Sequence, residues 1–286
     1  MLKRALHNTL NRLDSIRRLL GTARAIDALN VADCSNDEPP PFVRLERGPV
    51  FFGYPPPRIL RLVFRYLLRP STRKRLTEGA VGVAADVVLR YQIAGRPVKQ
   101  LAEGKYYDFR SGQRVVEVGA FLGLYAMRVS ELVGPSGHVI AIEAVDENLE
   151  LLRRNVQANA IENITVVGKA AWCETGLIGF ERQSRQKGSI LREVVRGRQL
   201  LEVSADTVDN ILTEVGVTEV DFVRVQVNGA EPEVLQGMKR TLESRPTLLI
   251  AVPYLARRNM ADTIGPILRQ LGYNVSLYGN SLLARV

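Results

Sequence analysis

From residue 114 onward, short apolar and β-branched runs alternate with stretches in which apolar positions recur every three or four residues. The runs are Arg114–Val118, His138–Ile142, Ile164–Val167, Val220–Val227, Thr247–Val252, Asn274–Tyr278 and Ser281–Val286. Helical patterns fall between them, for example Glu147–Ala158, Glu231–Leu242 and Asp262–Leu271. Strands that alternate with helices predict an α/β fold, a largely parallel sheet covered by helices on both faces. Only Gly279 and Asn280 separate the last two of the seven runs. That is a hairpin signal, so the sheet is expected to close on an antiparallel C-terminal hairpin.

The first quarter of the chain has a different texture. In residues 1–30 the positions Leu2, Leu6, Leu10, Leu13, Ile16 and Leu20 make one helical stripe. Residues 31–57 contain DCSNDEPPP and GYPPP, which reads as linker or irregular packing. Pro57 and Pro70 bracket a short helix, RILRLVFRYLLR. The expected organisation is a helical and proline-rich arm over residues 1–75 and a folded domain over residues 76–286.

Charge sharpens that division. Residues 1–75 hold 15 Lys and Arg against 6 Asp and Glu, so the whole net charge of +9 belongs to this segment and the rest is neutral. Arg58, Arg61, Arg65 and Arg69 share one helix face, opposite Leu60, Val63, Phe64, Leu67 and Leu68. A basic amphipathic helix of this kind suits an anionic membrane surface, or a solvated accessory helix. Nucleic acid is disfavoured, because no aromatic stacking platform accompanies the arginines. No apolar stretch is long enough to cross a bilayer and the N-terminus lacks the apolar centre of a secretory signal, so the expectation is a cytoplasmic protein, peripheral at most. Two cysteines and two histidines exclude a disulfide scaffold and a Cys- or His-rich metal centre.

Candidate chemistry is concentrated in VVEVGAFLGLYA, residues 115–126. A strand ends in Glu117 and turns through Gly119, Ala120 and Gly123 into a helix. Glycine at 119 lets backbone approach a ligand, and glycine at 123 lets helix and sheet approach each other. The spacing is E-x-G-x-x-x-G and not the G-x-G-x-x-G that cradles a pyrophosphate. An acid and fewer glycines suit a cationic cofactor without phosphates, such as S-adenosylmethionine; a tight strand-to-helix turn in another α/β protein is the alternative. The next run, HVIAIEA, puts Glu143 at a strand's carboxyl end, where a carboxylate can accept the two hydroxyls of a ribose.

Residues 115–176 together with DFVRVQVNGAEPEVLQGMKRTL, residues 221–242, resemble the FkbM family of S-adenosylmethionine-dependent methyltransferases. The resemblance implies a class I Rossmann-like sheet and O-methylation of hydroxyls, often on sugars, glycolipids or glycosylated small molecules. It also implies that Glu117, Gly119, Ala120 and Gly123 contact the methionine part of the cofactor and Glu143 the ribose, with Ala170 and Ala171 beside the adenine. For the acceptor side it points to Gln226, Asn228 and Glu231. Here the chain departs from the family's K-I-D-V-E-G-A-E, reading R-V-Q-V-N-G-A-E, so two carboxylates have become amides. Amides keep hydrogen bonding but cannot serve as bases. Glu231, Tyr254, Tyr107 and Asp108 are then the remaining candidates, no divalent metal is expected, and a cofactor binder without turnover is the competing reading. Acceptor specificity is expected in Gly176–Ser204 and the arm.

Overall fold

The computed structural model describes residues 21, 23–29, 31–34, 40–46, 48–54, 68–88, 107–184, 187–190, 200–227, 229–252, 257–278 and 281–286. The stripe of residues 1–20 and the basic helix expected at 58–69 (but for Leu68 and Arg69) lie outside them. The chain divides into two compact units, residues 1–93 and 94–286.

In the first unit, β1 (Val31–Cys34), β2 (Phe42–Leu45) and β3 (Val50–Phe52) form a three-stranded antiparallel sheet in sequence order. The reading of 31–57 as linker or irregular packing is therefore corrected. Between its prolines the segment carries Val43 and Phe51, both fully buried, and Phe42 and Phe52 whose rings pack 5.8 Å apart. Two helices follow, α1 (Pro70–Arg75) and α2 (Glu78–Asp86), the latter capped by Thr77, whose hydroxyl accepts the Ala80 N–H. Helix α2 buries Ala80, Val83 and Ala84 and packs against β2, so the unit extends past the change in composition at residue 75.

The second unit is built on a seven-stranded sheet. Its elements are β4 (Arg114–Val118), α3 (Leu124–Val133), β5 (His138–Ile142), α4 (Asp146–Ala158) and β6 (Ile164–Val167). Next come β7 (Ala170–Ala171), β8 (Gly176–Ser184), β9 (Lys187–Ile190) and β10 (Leu200–Asp206), then α5 (Val208–Glu214), β11 (Phe222–Val225), α6 (Glu231–Gln236) and α7 (Lys239–Glu243). β12 (Thr247–Ala251), α8 (Arg257–Gln270), β13 (Asn274–Tyr278) and β14 (Ser281–Arg285) complete it. The sheet order is β13-β14-β12-β11-β4-β5-β6. Six strands run in the same direction; β14 runs antiparallel to both of its neighbours, β12 and β13, so the hairpin reverses only the last strand. This is the class I methyltransferase arrangement. Val116, Val118, Ile140, Val223 and Ile250 on the central strands are fully buried, as expected where helices cover both faces.

Two further features depart from the sequence reading. The run Glu231–Leu242 is not one helix: it breaks at Gly237, where the backbone lies so close to the Trp172 carbonyl oxygen that a Cβ would stand 2.0 Å from it. The segment Gly176–Ser204, expected only as a specificity region, supplies β8 to β10 of a second sheet ordered β7-β10-β8-β9. Its alternation is weak because this small sheet lies outside the central core, and Leu177 is 71 % exposed.

Candidate active site at the carboxyl ends of the parallel strands

β4 and β11 lie side by side and both end where the chain turns into a helix. After Val118 the Gly119 and Ala120 N–H groups both donate to the Ile142 carbonyl at 2.9 Å, drawing the turn over the end of β5. Gly119 has φ +81°, and a Cβ there would lie 2.2 Å from the Gln226 carbonyl oxygen. Backbone thus presses on backbone, leaving a cradle that a side chain would fill. Gly123, at φ +73°, precedes α3, whose amino end has neither a side-chain cap nor an acid in its first turn. No side chain of the helix itself offsets its partial positive charge.

Glu143 stands at the end of β5, 7 % exposed. Its Oε2 accepts the Phe121 N–H at 2.7 Å, and its Oε1 accepts the Val145 N–H at 2.9 Å and the Asn148 amide at 3.2 Å. Burial pushes its carboxyl above the usual range, and these hydrogen bonds oppose that rise. The acid therefore ties the glycine turn to the start of α4. Phe121 closes the turn at φ +55°, a strained conformation for a bulky residue.

Glu117 is 1 % exposed on the central strand and is paired in register with Arg224 of β11. The Arg224 guanidinium donates to Glu117 Oε1 through Nη1 and to Gln226 Oε1 through Nη2. Its Cζ lies 4.4 Å from the centroid of the Tyr125 ring on α3, a cation–π contact. Burial, first of all, raises the Tyr125 hydroxyl far above its ordinary range, so it stays protonated. A buried carboxylate needs such a partner, since an unpaired charge there is costly. Arg224 thus fastens β4 to β11.

The structure brings Glu117, Gly119, Ala120, Gly123 and Glu143 together at the carboxyl ends of β4 and β5, with Gln226 and Glu231 at the end of β11. Gln226 donates its backbone N–H to the Val118 carbonyl at 2.9 Å. Glu231 is fully buried at the start of α6, and its Oε2 accepts the Gly229 N–H at 2.8 Å. Ala170 and Ala171 are buried and paired in parallel with Ala205 and Asp206 of β10. Asn228 and Tyr254 lie outside the described residues. Tyr107 and Asp108 are not part of this group: Tyr107 packs 4.7 Å from the ring of Phe222, the first residue of β11. Both line a cavity of about 340 Å³ with Gln113, Thr247 and Arg285 at the opposite end of the sheet. They precede β4 and so enter it from its amino end.

Arg224 and Asp206 escaped the sequence reading as structural centres. Arg224 shares a face with Gln226 by the period of two, and that was the available signal. Asp206 is 4 % exposed and accepts from Lys169 Nζ at 3.0 Å, Thr175 Oγ1 at 2.7 Å, Asn210 Nδ2 at 2.9 Å and the Thr207 N–H at 2.9 Å. Burial opposes its ionisation, but these donors outweigh it and hold the carboxyl at about 2. It binds the segment after β6 to the start of α5. Only Thr207, an N-cap residue followed by a helical run, hinted at this junction.

The family model described as the methyltransferase FkbM domain matches residues 117–275, more than half of the chain. Among curated proteins, the protein-L-isoaspartate O-methyltransferase of Methanothrix thermoacetophila is 36 % identical over 77 residues, 27 % of this chain and 34 % of that one. Protein-L-isoaspartate O-methyltransferase 1 of Archaeoglobus fulgidus is 38 % identical over 74 residues, 26 % of this chain and 32 % of that one. The chain thus spans about a third of the length of these relatives. Among solved structures, the methyltransferase FkbM from Methylobacillus flagellatus is 20 % identical with a TM-score of 0.48, covering 72 % of this chain and 54 % of that one. Aeropyrum pernix fibrillarin with bound S-adenosyl-L-methionine is 13 % identical with a TM-score of 0.46, covering 90 % and 100 %. On the strength of the family match, and with the strand order and glycine turn that such an enzyme requires, this chain belongs to the FkbM family of S-adenosylmethionine-dependent methyltransferases.

Proposed function

We propose that this chain transfers the methyl group of S-adenosylmethionine to an oxygen of a sugar-bearing acceptor, either a glycan, a glycolipid or a glycosylated small molecule. The observation that carries the cofactor half is the glycine cradle: Gly119 backbone held against the Gln226 carbonyl, with Glu143 one strand away. In this reading the turn residues Glu117 to Gly123 receive the methionine part and Glu143 the ribose. The bound cofactor supplies an electrophilic methyl on a sulfonium, and the protein's work is alignment of the acceptor oxygen. Oxygen as the acceptor atom is supported by the family resemblance and by relatives, matched over about a third of their length, whose names record O-methyl transfer.

The test is calorimetric titration with S-adenosylmethionine and S-adenosylhomocysteine. Wild type is expected to bind both, and Glu143→Ala to lose at least about tenfold in affinity, which is 1.4 kcal/mol or more. Unchanged affinity in Glu143→Ala would remove that residue from the pocket. The amides at 226 and 228 favour a second reading, a cofactor-binding protein without turnover. Incorporation of radiolabelled methyl into an acceptor separates the two, because both require the cofactor to bind.

A further inference from the structure

Gln226 is the side chain that β11 carries beyond its end, and Arg224 decides which end of that amide is displayed. A guanidinium has five N–H donors and no acceptor. Gln226 can therefore turn only its carbonyl oxygen toward Arg224, as observed. The amide NH₂ group is left on the other side, and it has no partner among the described residues. Arg224 is itself held from two directions, by the buried Glu117 carboxylate and by the face of Tyr125. The orientation of Gln226 is thus enforced. Glu231, the next acid after Gln226 along the chain, is built into its own turn, fully buried with Oε2 on the Gly229 N–H.

A hydrogen-bond donor is what this position offers the acceptor. Methylation of a neutral hydroxyl calls for the reverse, a group that accepts the departing proton. A donor suits an oxygen that already carries negative charge. Resting on the oxygen-methylation reading above, we propose that the acceptor is the carboxylate of a sugar acid, held through one oxygen by the Gln226 NH₂ group and methylated on the other. Carboxylates are ionised at neutral pH, so the reaction needs no base. A lone pair of the carboxylate oxygen forms the new C–O bond as the methyl C–S bond breaks, and the electrons of that bond remain on sulfur. The sulfonium becomes a neutral thioether, the carboxylate becomes a neutral methyl ester, and no proton moves.

Two matched probes test this with the full chain: a galacturonate trisaccharide and the neutral galactose trisaccharide, each with methyl-labelled S-adenosylmethionine. Label is expected on the galacturonate alone, and mild alkali should release it as volatile methanol, as it does from esters and not from ethers. Alkali-stable label, label on the neutral sugar, or no label on either probe while the cofactor still binds would each overturn the proposal. Failure of the cofactor to bind would instead overturn the reading on which it rests. A binding arm needs no turnover. Calorimetry of the galacturonate trisaccharide with the S-adenosylhomocysteine complex should show Gln226→Glu weakening the sugar acid by about tenfold or more. The sugar acid is titrated at saturating S-adenosylhomocysteine, so that any change in cofactor affinity does not enter the comparison. Undiminished sugar-acid binding would remove Gln226 from the role assigned here.

Discussion

Gly119, Gly216 and Gly237 separate two reasons why a position can demand glycine. Gly216 has φ +72° with no atom within 4 Å of a would-be Cβ, so alanine there meets backbone strain alone. Gly237 has an ordinary φ of −86°, but its Cβ would lie 2.0 Å from the Trp172 carbonyl oxygen, so alanine meets a collision alone. Gly119 meets both, at φ +81° and 2.2 Å from the Gln226 carbonyl oxygen. The left-handed conformation costs a non-glycine residue about 1–2 kcal/mol. A Cβ at 2.2 Å is about 1 Å inside an ordinary C···O contact of about 3.3 Å, and both partners are backbone, so the turn itself must move. Forcing atoms into packed structure costs about 1–3 kcal/mol. The expected losses are therefore about 1–2 kcal/mol for Gly216→Ala, about 1–3 for Gly237→Ala and about 2–5 for Gly119→Ala. Urea unfolding of the three variants measures these values. Calorimetry with S-adenosylmethionine then distinguishes location from stability, since only Gly119→Ala displaces the cradle and should lose cofactor affinity by about tenfold or more. The reasoning fails if Gly119→Ala is no less stable than Gly216→Ala, or if it binds the cofactor like wild type.

Asp206 should show in the pH dependence of stability. Its folded value of about 2 lies below the ordinary carboxylate value near about 3.9, so its contribution is complete above the latter and is lost as pH falls through the former. Asp206→Asn should cost about 2–4 kcal/mol at pH 7, and its urea midpoint should converge on that of wild type between about pH 4 and 2; a gap still fully open at pH 2 would refute the assignment. Phe121 combines strain with burial, at φ +55° and 7 % exposure. Asparagine tolerates the left-handed region where alanine does not, so Phe121→Asn should unfold at a higher urea concentration than Phe121→Ala although both lose the ring. The opposite order would mean that the strain at 121 is not felt.

Much of the second unit was legible in the chain because its signals are local. The runs VVEV, HVIAI and FVRV carry apolar residues on both faces, interrupted only by His138, Glu117 and Arg224, which suits a sheet covered on both sides, and their alternation with helices leaves few topologies. Glycines at 119 and 123 with Glu117 and Glu143 at strand ends were legible as one group, and the structure gathers them at the carboxyl edge of the parallel sheet, the edge at which such sheets meet ligands. Residues 31–57 misled because prolines and polar residues mask the apolar positions that pair into β1 to β3. Tyr107 and Asp108 misled because proximity in sequence to the glycine turn says nothing about which end of β4 the chain enters from.

What the amino-acid order determined by itself was the period of burial, the punctuation at the glycines and the residue types at the strand ends. Which donors meet which acceptors was decided only by the tertiary structure. Register between β4 and β11 sets Arg224 opposite Glu117, two residues separated by more than a hundred positions, and from that pairing follows the direction in which Gln226 presents its amide. The same holds for Asp206, whose four donors come from three stretches of chain. Hydrogen bonds and ion pairs act over a few ångströms in space, and no local pattern in the sequence records a distance that only strand pairing creates.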